Sequence, residues 1–148
     1  YTLEEFEDAR ASYDPNNATM NLSKKGIFST VLHEMTHGLE WQSTDAARNA
    51  SRGFLFDRAG VNAAVKPLKE YFPDYAYKDH ELSFGPLFRA VNENRSHYAA
   101  KYYEHVGNSE VLTIGIEELY NDAAGFAERD PEHFRFVVGW LKGGYAEP

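Results

Sequence analysis

Residues 33–37 read His-Glu-Met-Thr-His, and this pentapeptide constrains the chain more than any other feature in it. Two histidines four apart on an α-helix differ by about 40° in direction and one turn in height, so both imidazoles can meet one ion. Glu34 then points about 100° from His33, beside that ion, where it can take a proton from water. The His and Glu frequencies of this chain predict roughly 0.02 such matches by chance. The helical wheel adds support: with His33 at zero, His37, Thr30, Gly26 and Glu40 fall within about 60° of it. Ile27, Val31, Met35, Leu39, Phe28 and Leu32 fill the opposite side. A helix with so wide an apolar face is expected to bury that face and to present its histidines into a cleft. Gly26 and Thr30 are small and leave space there for a metal and a substrate.

The chain has no cysteine, which excludes thiolate nucleophiles and leaves histidine and carboxylate as the only strong metal ligands. A formal net charge of -8 and a pI near 5.2 argue against nucleic acid or an anionic membrane as the main partner. No stretch approaches the ~18 apolar residues of a membrane span, and no signal peptide is read at the start. The 148 residues, 43% hydrophobic, fit one compact domain, and an opening Tyr1 suggests a domain excised from a longer protein. Ten Tyr and ten Phe predict a core rich in rings.

Along the chain, residues 2–9 read as a short acidic helix, followed by a turn at Asp14-Pro15-Asn16-Asn17. Ala18, Met20 and Leu22 alternate with polar residues, which is the period of a half-buried strand. Ser23 is the expected N-cap of a long helix running to about Gln42. Ser43 or Thr44 caps a second, which reaches Arg58 and stops at Gly60. Residues 60–85 read mostly as loop. A helical stretch broken near Asn92–Ser96 leads to Tyr103. Ser109 caps a helix from about Glu110 to Asn121, and Asp130 with Pro131 opens the last helix, which ends before Gly143-Gly144. The sum is an α-rich α+β domain with a small sheet.

Catalytic zinc takes three protein ligands and a water, so one ligand is missing from the pentapeptide. The extended His-Glu-x-x-His-x-x-Gly-x-x-His pattern fails, because Gly38-Leu39-Glu40-Trp41-Gln42 follows His37. The third ligand is another histidine or a distant carboxylate. His80, His97, His105 and His133 read as surface or capping histidines. Glu40 reads either as an acceptor for His37 or as an exposed helix charge. The helix after Ser109 offers Glu110, Glu117 and Glu118; Leu112, Ile116 and Leu119 form its core face, and Glu118 points away. Glu110 and Glu117 share one stripe but stand about 10 Å apart along the axis, too far to reach one ion together. Gly115 would permit a bend that brings Glu117 closer. Taken singly, Glu110 reads as a partner of the helix dipole and Glu117 as a solvated charge.

Residues 31–40 (VLHEMTHGLE), 109–120 (SEVLTIGIEELY) and 121–138 (NDAAGFAERDPEHFRFVV) together resemble a known family. It is the zincin-like metallopeptidase domain at the C-terminus of phage minor head (head-morphogenesis) proteins and in related bacterial toxin domains. The first stretch is specific for zincins, and the three cover between a quarter and a third of the chain. The resemblance implies a zincin-like α+β fold with a small mixed sheet beside the histidine helix. In gluzincin-like relatives, the anthrax lethal factor type among them, the later helix opens with the third ligand. That position matches Glu110, which implies Zn2+ held by His33, His37 and Glu110. Those relatives often carry a second acid one turn later, where this chain has Ile114. A tyrosine upstream of the ligand serves them as oxyanion donor; Tyr103 or Tyr102 matches it, and Tyr103 is the candidate here.

The resulting expectation is a zinc metallopeptidase in which Glu34 takes a proton from a zinc-held water that attacks the scissile carbonyl. The substrate is a peptide or protein, docked by strand addition to residues 18–22. The expected partners are phage head or portal proteins, reached through the parent chain, and the expected location is bacterial cytoplasm or virion. The competing readings are a catalytically silent zincin-fold structural domain of a phage head protein and a toxin protease domain. An intact Glu34 argues for cleavage, because a purely structural zinc site has no use for it.

Overall fold

The computed structural model describes residues 2–6, 12–23, 28–104 and 109–145. Three strands come first: β1 (Thr2–Phe6), β2 (Ser12–Asp14) and β3 (Thr19–Ser23). The alternation over residues 18–22 does form a strand, but a central one. β1 pairs with it in parallel, Thr2 opposite Thr19, and β2 antiparallel, Asp14 opposite Thr19. With both of its sides paired, β3 cannot accept a substrate strand; β2 is the edge strand packed beside the histidine helix. The expected acidic helix is absent over residues 2–6, because pairing with β3 outweighs the weak helical preference of so short a segment. Residues 7–9 of that reading lie outside the described residues. The turn forms as expected, with Asp14 Oδ1 accepting from Asn16 N at 2.9 Å and Asn17 Oδ1 accepting from Thr19 N at 3.1 Å.

Helix α1 spans Phe28–Gln42 and α2 Asp45–Ala59. Ser23 ends β3 and so does not cap α1; Gly26 and Ile27 lie outside the described residues. Thr44 caps α2 by accepting from Ala47 N, and Gly60 ends it at φ 85°. Residues 60–85 hold only β4 (Lys66–Pro67), the single turn α3 (Leu68–Tyr71) and β5 (Leu82–Ser83). Asn92 starts α4 (Glu93–Ala99) rather than breaking a longer helix, its side chain accepting from Arg95 N at 2.9 Å. The chain then leaves the helix for β6 (Lys101–Tyr102), because antiparallel pairing with β5 takes over at Lys101.

The longest helix, α5 (Val111–Arg129), is kinked at Asp122, where φ and ψ are -161° and 82°. Asp122 Oδ1 accepts from Gly125 N at 3.0 Å and so caps the second half, which is why the first half ends near Asn121. The bend is at Asp122, not at Gly115. α6 (Pro131–Leu141) opens as expected, Asp130 accepting from His133 N at 3.1 Å. α5 is the central element, packed on α1, α2, α4 and α6. Leu55, Phe88, Ala99, Val111 and Ile114 form one core cluster; Ala47, Leu112, Phe126, Val137 and Trp140 form the other. The domain is therefore α+β and helix-rich.

Two of the histidines read as surface or capping residues are core residues. His133 is buried and its Nε2 donates to the Val111 carbonyl at 2.7 Å, while burial pushes its pKa down to about 4. His97 is buried against its own helix, Nδ1 lying 2.8 Å from the Glu93 carbonyl. His105 lies outside the described residues. The histidines of α1 do line cavities, but the burial of its two sides reverses expectation. Its buried residues are His33, Glu34, Thr36, Gly38 and Glu40, whereas Phe28, Met35 and Leu39 are 60%, 46% and 45% exposed. α1 meets α5 through its polar side, where Glu110 and Glu117 pair with the histidines, while Val31 and Leu32 are half-buried and Phe28, Met35 and Leu39 are left outward.

Candidate metal centre

One turn of α-helix separates His33 from His37, and their rings stand 4.9 Å apart at 78°. Both turn Nε2 toward Glu110 Oε2, at 3.1 Å from each. Glu110 occupies the N-cap position of α5 yet makes no capping bond with its side chain, which reaches the histidines instead. Ser109, the expected cap, accepts from Val111 N at 3.3 Å. Two hydroxyls fix the Glu110 carboxylate: Tyr103 Oη donates to Oε1 at 2.5 Å and Thr113 Oγ1 to Oε2 at 2.7 Å.

The donor set fits a zinc ion. One ligand atom from each of His33, His37 and Glu110 lies within 4.8 Å of the others. Tetrahedral zinc with bonds of about 2.0–2.2 Å has ligand–ligand edges of about 3.3–3.6 Å. The two 3.1 Å separations need to open by only a few tenths of an ångström to admit it. Nitrogen and carboxylate oxygen without thiolate is a set that zinc accepts.

Electrostatics tie the cluster together. Burial opposes a charged His33, but the carboxylates of Glu110 and Glu117 outweigh it and hold its pKa at about 10. His37 is raised in the same way: burial works against its charge and Glu110 prevails. Burial would raise Glu110, yet the two imidazoliums hold it well below the usual carboxylate range. Without metal, protonated histidines balance this carboxylate. Glu34 is buried beside them, and burial pushes its pKa up while His33 and His37 pull partly back.

Glu117 is neither a solvated charge nor a ligand of the same point. It is buried, with Oε1 against His33 Nδ1 and Oε2 accepting from Arg95 Nη1 at 2.6 Å. Glu118, read as pointing away, is also buried and accepts from Arg95, Arg129 and Val91 N. Glu40 departs from both of its readings. It is 2% exposed, with Ser51 of α2 close by, and burial pushes its pKa up to about 7. Tyr102 packs among Phe56, Phe84 and Arg52.

Two cavities flank the cluster, and His33, Glu34 and Tyr98 line both. One also takes in Thr30 and Tyr77; the other takes in Tyr13 of β2, His37, Lys101, Tyr103 and Glu110. Residue spacing gave no signal for Tyr98, Arg95 or Lys101, which come from α4 and β6 and reach the site only through tertiary packing. No protein-family model, curated protein or solved structure matches the chain, so its function must be argued from this geometry.

Proposed function

We propose that the chain is a zinc-dependent peptidase with a zincin-type site. The observation that carries this reading is the convergence of His33 Nε2 and His37 Nε2 on Glu110 Oε2, with buried Glu34 beside them at the junction of two cavities. On its motif stretches we group the chain with the zincin-like domains of phage head-morphogenesis proteins and bacterial toxins. When bound, zinc supplies a Lewis acid that polarises a peptide carbonyl and acidifies water toward neutrality.

The residues divide the remaining work. His33, His37 and Glu110 hold the ion. Glu117 fixes the His33 ring from behind, and Thr113 orients Glu110. Glu34 takes the proton of the attacking water and delivers it to the leaving amine, a task suited to a carboxyl raised by burial. Tyr103 lines the cavity shared by Glu34 and both histidines; its single hydroxyl proton is engaged by Glu110 Oε1, and it serves an oxyanion by turning from that carboxylate as charge builds there. An extended peptide lies along β2, whose Ser12 and Tyr13 line that same cavity.

The test is metal content together with peptide-library cleavage. The wild-type protein is expected to hold about one zinc per chain, lost to chelator. Glu34→Gln is expected to keep the zinc and lose cleavage, because the ligands remain and the base does not. Equal hydrolysis of an identified peptide by wild type and Glu34→Gln removes Glu34 as the base. Zinc without any cleavage in the wild type favours a silent structural domain.

A further inference from the structure

The two cavities beside Glu34 differ in character. The Tyr103 side is lined by Lys101 and Glu110, and is polar and charged. The other, of about 340 Å³, is walled by Tyr75, Tyr77, Tyr98, Ala76 and Ile114. Its tyrosines form a continuous row that ends on a candidate metal ligand. Tyr75 stacks on Tyr77 at 5.8 Å and 9°, Tyr77 on Tyr98 at 6.3 Å and 26°, and Tyr98 leans on the His33 ring at 6.1 Å.

This wall is held in place before any ligand arrives. Tyr77 Oη accepts from Asn94 Nδ2 at 2.8 Å, and the Tyr98 ring lies 5.0 Å from Lys101 Nζ, itself paired with Glu81 at 2.8 Å. The charges around the cavity disfavour a charged occupant of either sign. Arg95 lines it, with Nη1 engaged by Glu117 at 2.6 Å, Nε by Glu118 at 2.7 Å, and Nη2 buried without a partner. A substrate carboxylate or ammonium would meet Glu34, Glu117, Arg95 and His33 together, charges paired among themselves that offer neither sign an uncompensated partner. A neutral ring would join the tyrosine row that lines the cavity, and the volume, at the small end for ligand pockets, suits one side chain.

We propose that this cavity seats an aromatic side chain of the polypeptide substrate, so that cleavage falls beside phenylalanine or tyrosine. The inference rests on the peptidase reading for its cleavage consequence, and on the tyrosine row for the choice of side chain.

The test begins with binding to the metal-free full chain, which requires neither zinc nor turnover. Blocked tripeptides Ala-Phe-Ala, Ala-Leu-Ala, Ala-Glu-Ala and Ala-Lys-Ala are titrated by NMR. Ala-Phe-Ala is expected to bind about two- to tenfold more tightly than Ala-Leu-Ala, and more tightly still than the charged pair. Tyr77→Phe keeps the ring and should keep the preference. Tyr77→Ala removes the ring and Ala76→Trp fills the space, and each should abolish it, with circular dichroism confirming the fold. Cleavage sites of the zinc-supplemented protein on unfolded casein should then cluster beside aromatic residues. Equal binding of all four tripeptides, or a preference that survives both Tyr77→Ala and Ala76→Trp, overturns the inference. Absence of zinc uptake and cleavage would instead sink the peptidase reading and leave the binding result to judge the cavity. Cleavage without aromatic preference would sink this inference alone.

Discussion

Glu117 Oε1 sits against Nδ1 of His33, while Nε2 of the same ring faces Glu110 at 3.1 Å. The imidazole is thus clamped between two carboxylates of one helix, one on the side where a metal would bind and one behind. A carboxylate behind a ligating histidine fixes its tautomer and raises its basicity. Glu117→Ala is therefore expected to lower zinc affinity about 10–100-fold, and Glu110→Ala by more, since it removes a ligand outright. Competition with a fluorescent chelator measures both. A larger loss for Glu117→Ala would make Glu117 the ligand and Glu110 its support.

Zinc binding is expected to displace protons. His33, held at about 10 in the metal-free protein, is protonated at neutral pH and must become neutral to ligate. Below that value, the proton displaced from His33 makes apparent zinc affinity rise about tenfold for each unit that pH increases. Calorimetry at pH 7.5 in buffers of different ionisation enthalpy should give at least one proton released per zinc. Buffer-independent heats would show that His33 is neutral before zinc arrives and that the Glu110 and Glu117 charges do not hold it as argued.

Groups with raised pKa in the metal-free protein should each cost it stability as pH rises, in two stages with different owners. Glu40 is raised from 4.5 to about 7 and His33 from 6.5 to about 10. A raised pKa in the folded state contributes stability that is complete below the unfolded pKa and is lost as pH climbs through the folded one. The Glu40 share is therefore lost between pH 4.5 and about 7, and the His33 share between 6.5 and about 10. Glu34, also raised, adds to the first stage, while His133, lowered from 6.5 to about 4 by burial, opposes it, because its share is lost as pH falls through that window. Glu110 and Asp130 are lowered, the first by both histidines against burial and the second by Arg58 against burial, so their shares are lost on acidification instead. From about pH 5 to pH 7 the melting temperature of Glu40→Gln in chelator should climb relative to that of wild type, and above pH 7 the two should fall in parallel. An unchanged slope in the variant would mean that Glu40 is ionised throughout.

How much of this was legible follows from which interactions are local. Helix geometry alone puts His33 and His37 on one side, and the caps at Thr44 and Asp130 are local hydrogen bonds, so spacing identified them. The choice between Glu110 and Glu117 was open from spacing; family resemblance pointed to Glu110, and the structure brings Glu110 to the histidines and Glu117 behind one of them. Periodicity shows which residues share a face of α1 but not which face is covered. Burial of the histidine side depends on carboxylates 77 and 84 residues further along, since His33 meets Glu110 and Glu117. The strand over residues 2–6 was missed for the same reason, because only its pairing with β3 makes it a strand.

The approach of α6 to α5 is set by one missing methyl group. A Cβ on Gly115 would lie 2.3 Å from Val137 Cγ2 and 2.8 Å from His133 Nε2, inside any real contact distance. His133 cannot yield easily, since its Nε2 donates to the Val111 carbonyl in the first turn of α5, next to Glu110. Gly115→Ala is expected to force the two helices apart and to cost about 1–3 kcal/mol, the range for overpacking a filled core. Val137→Ala removes the closest obstructing atom at the cost of a cavity. The double variant should then be less destabilised than the sum of the two singles, because each change fits the space left by the other. Because α5 carries Glu117 and begins at Glu110, Gly115→Ala should also weaken zinc binding, and the double variant should recover part of it. Urea unfolding in chelator, set beside zinc titration of the same three variants, separates the two effects. Simple additivity of the stability losses would show that α6 shifts as a whole rather than clashing at Val137.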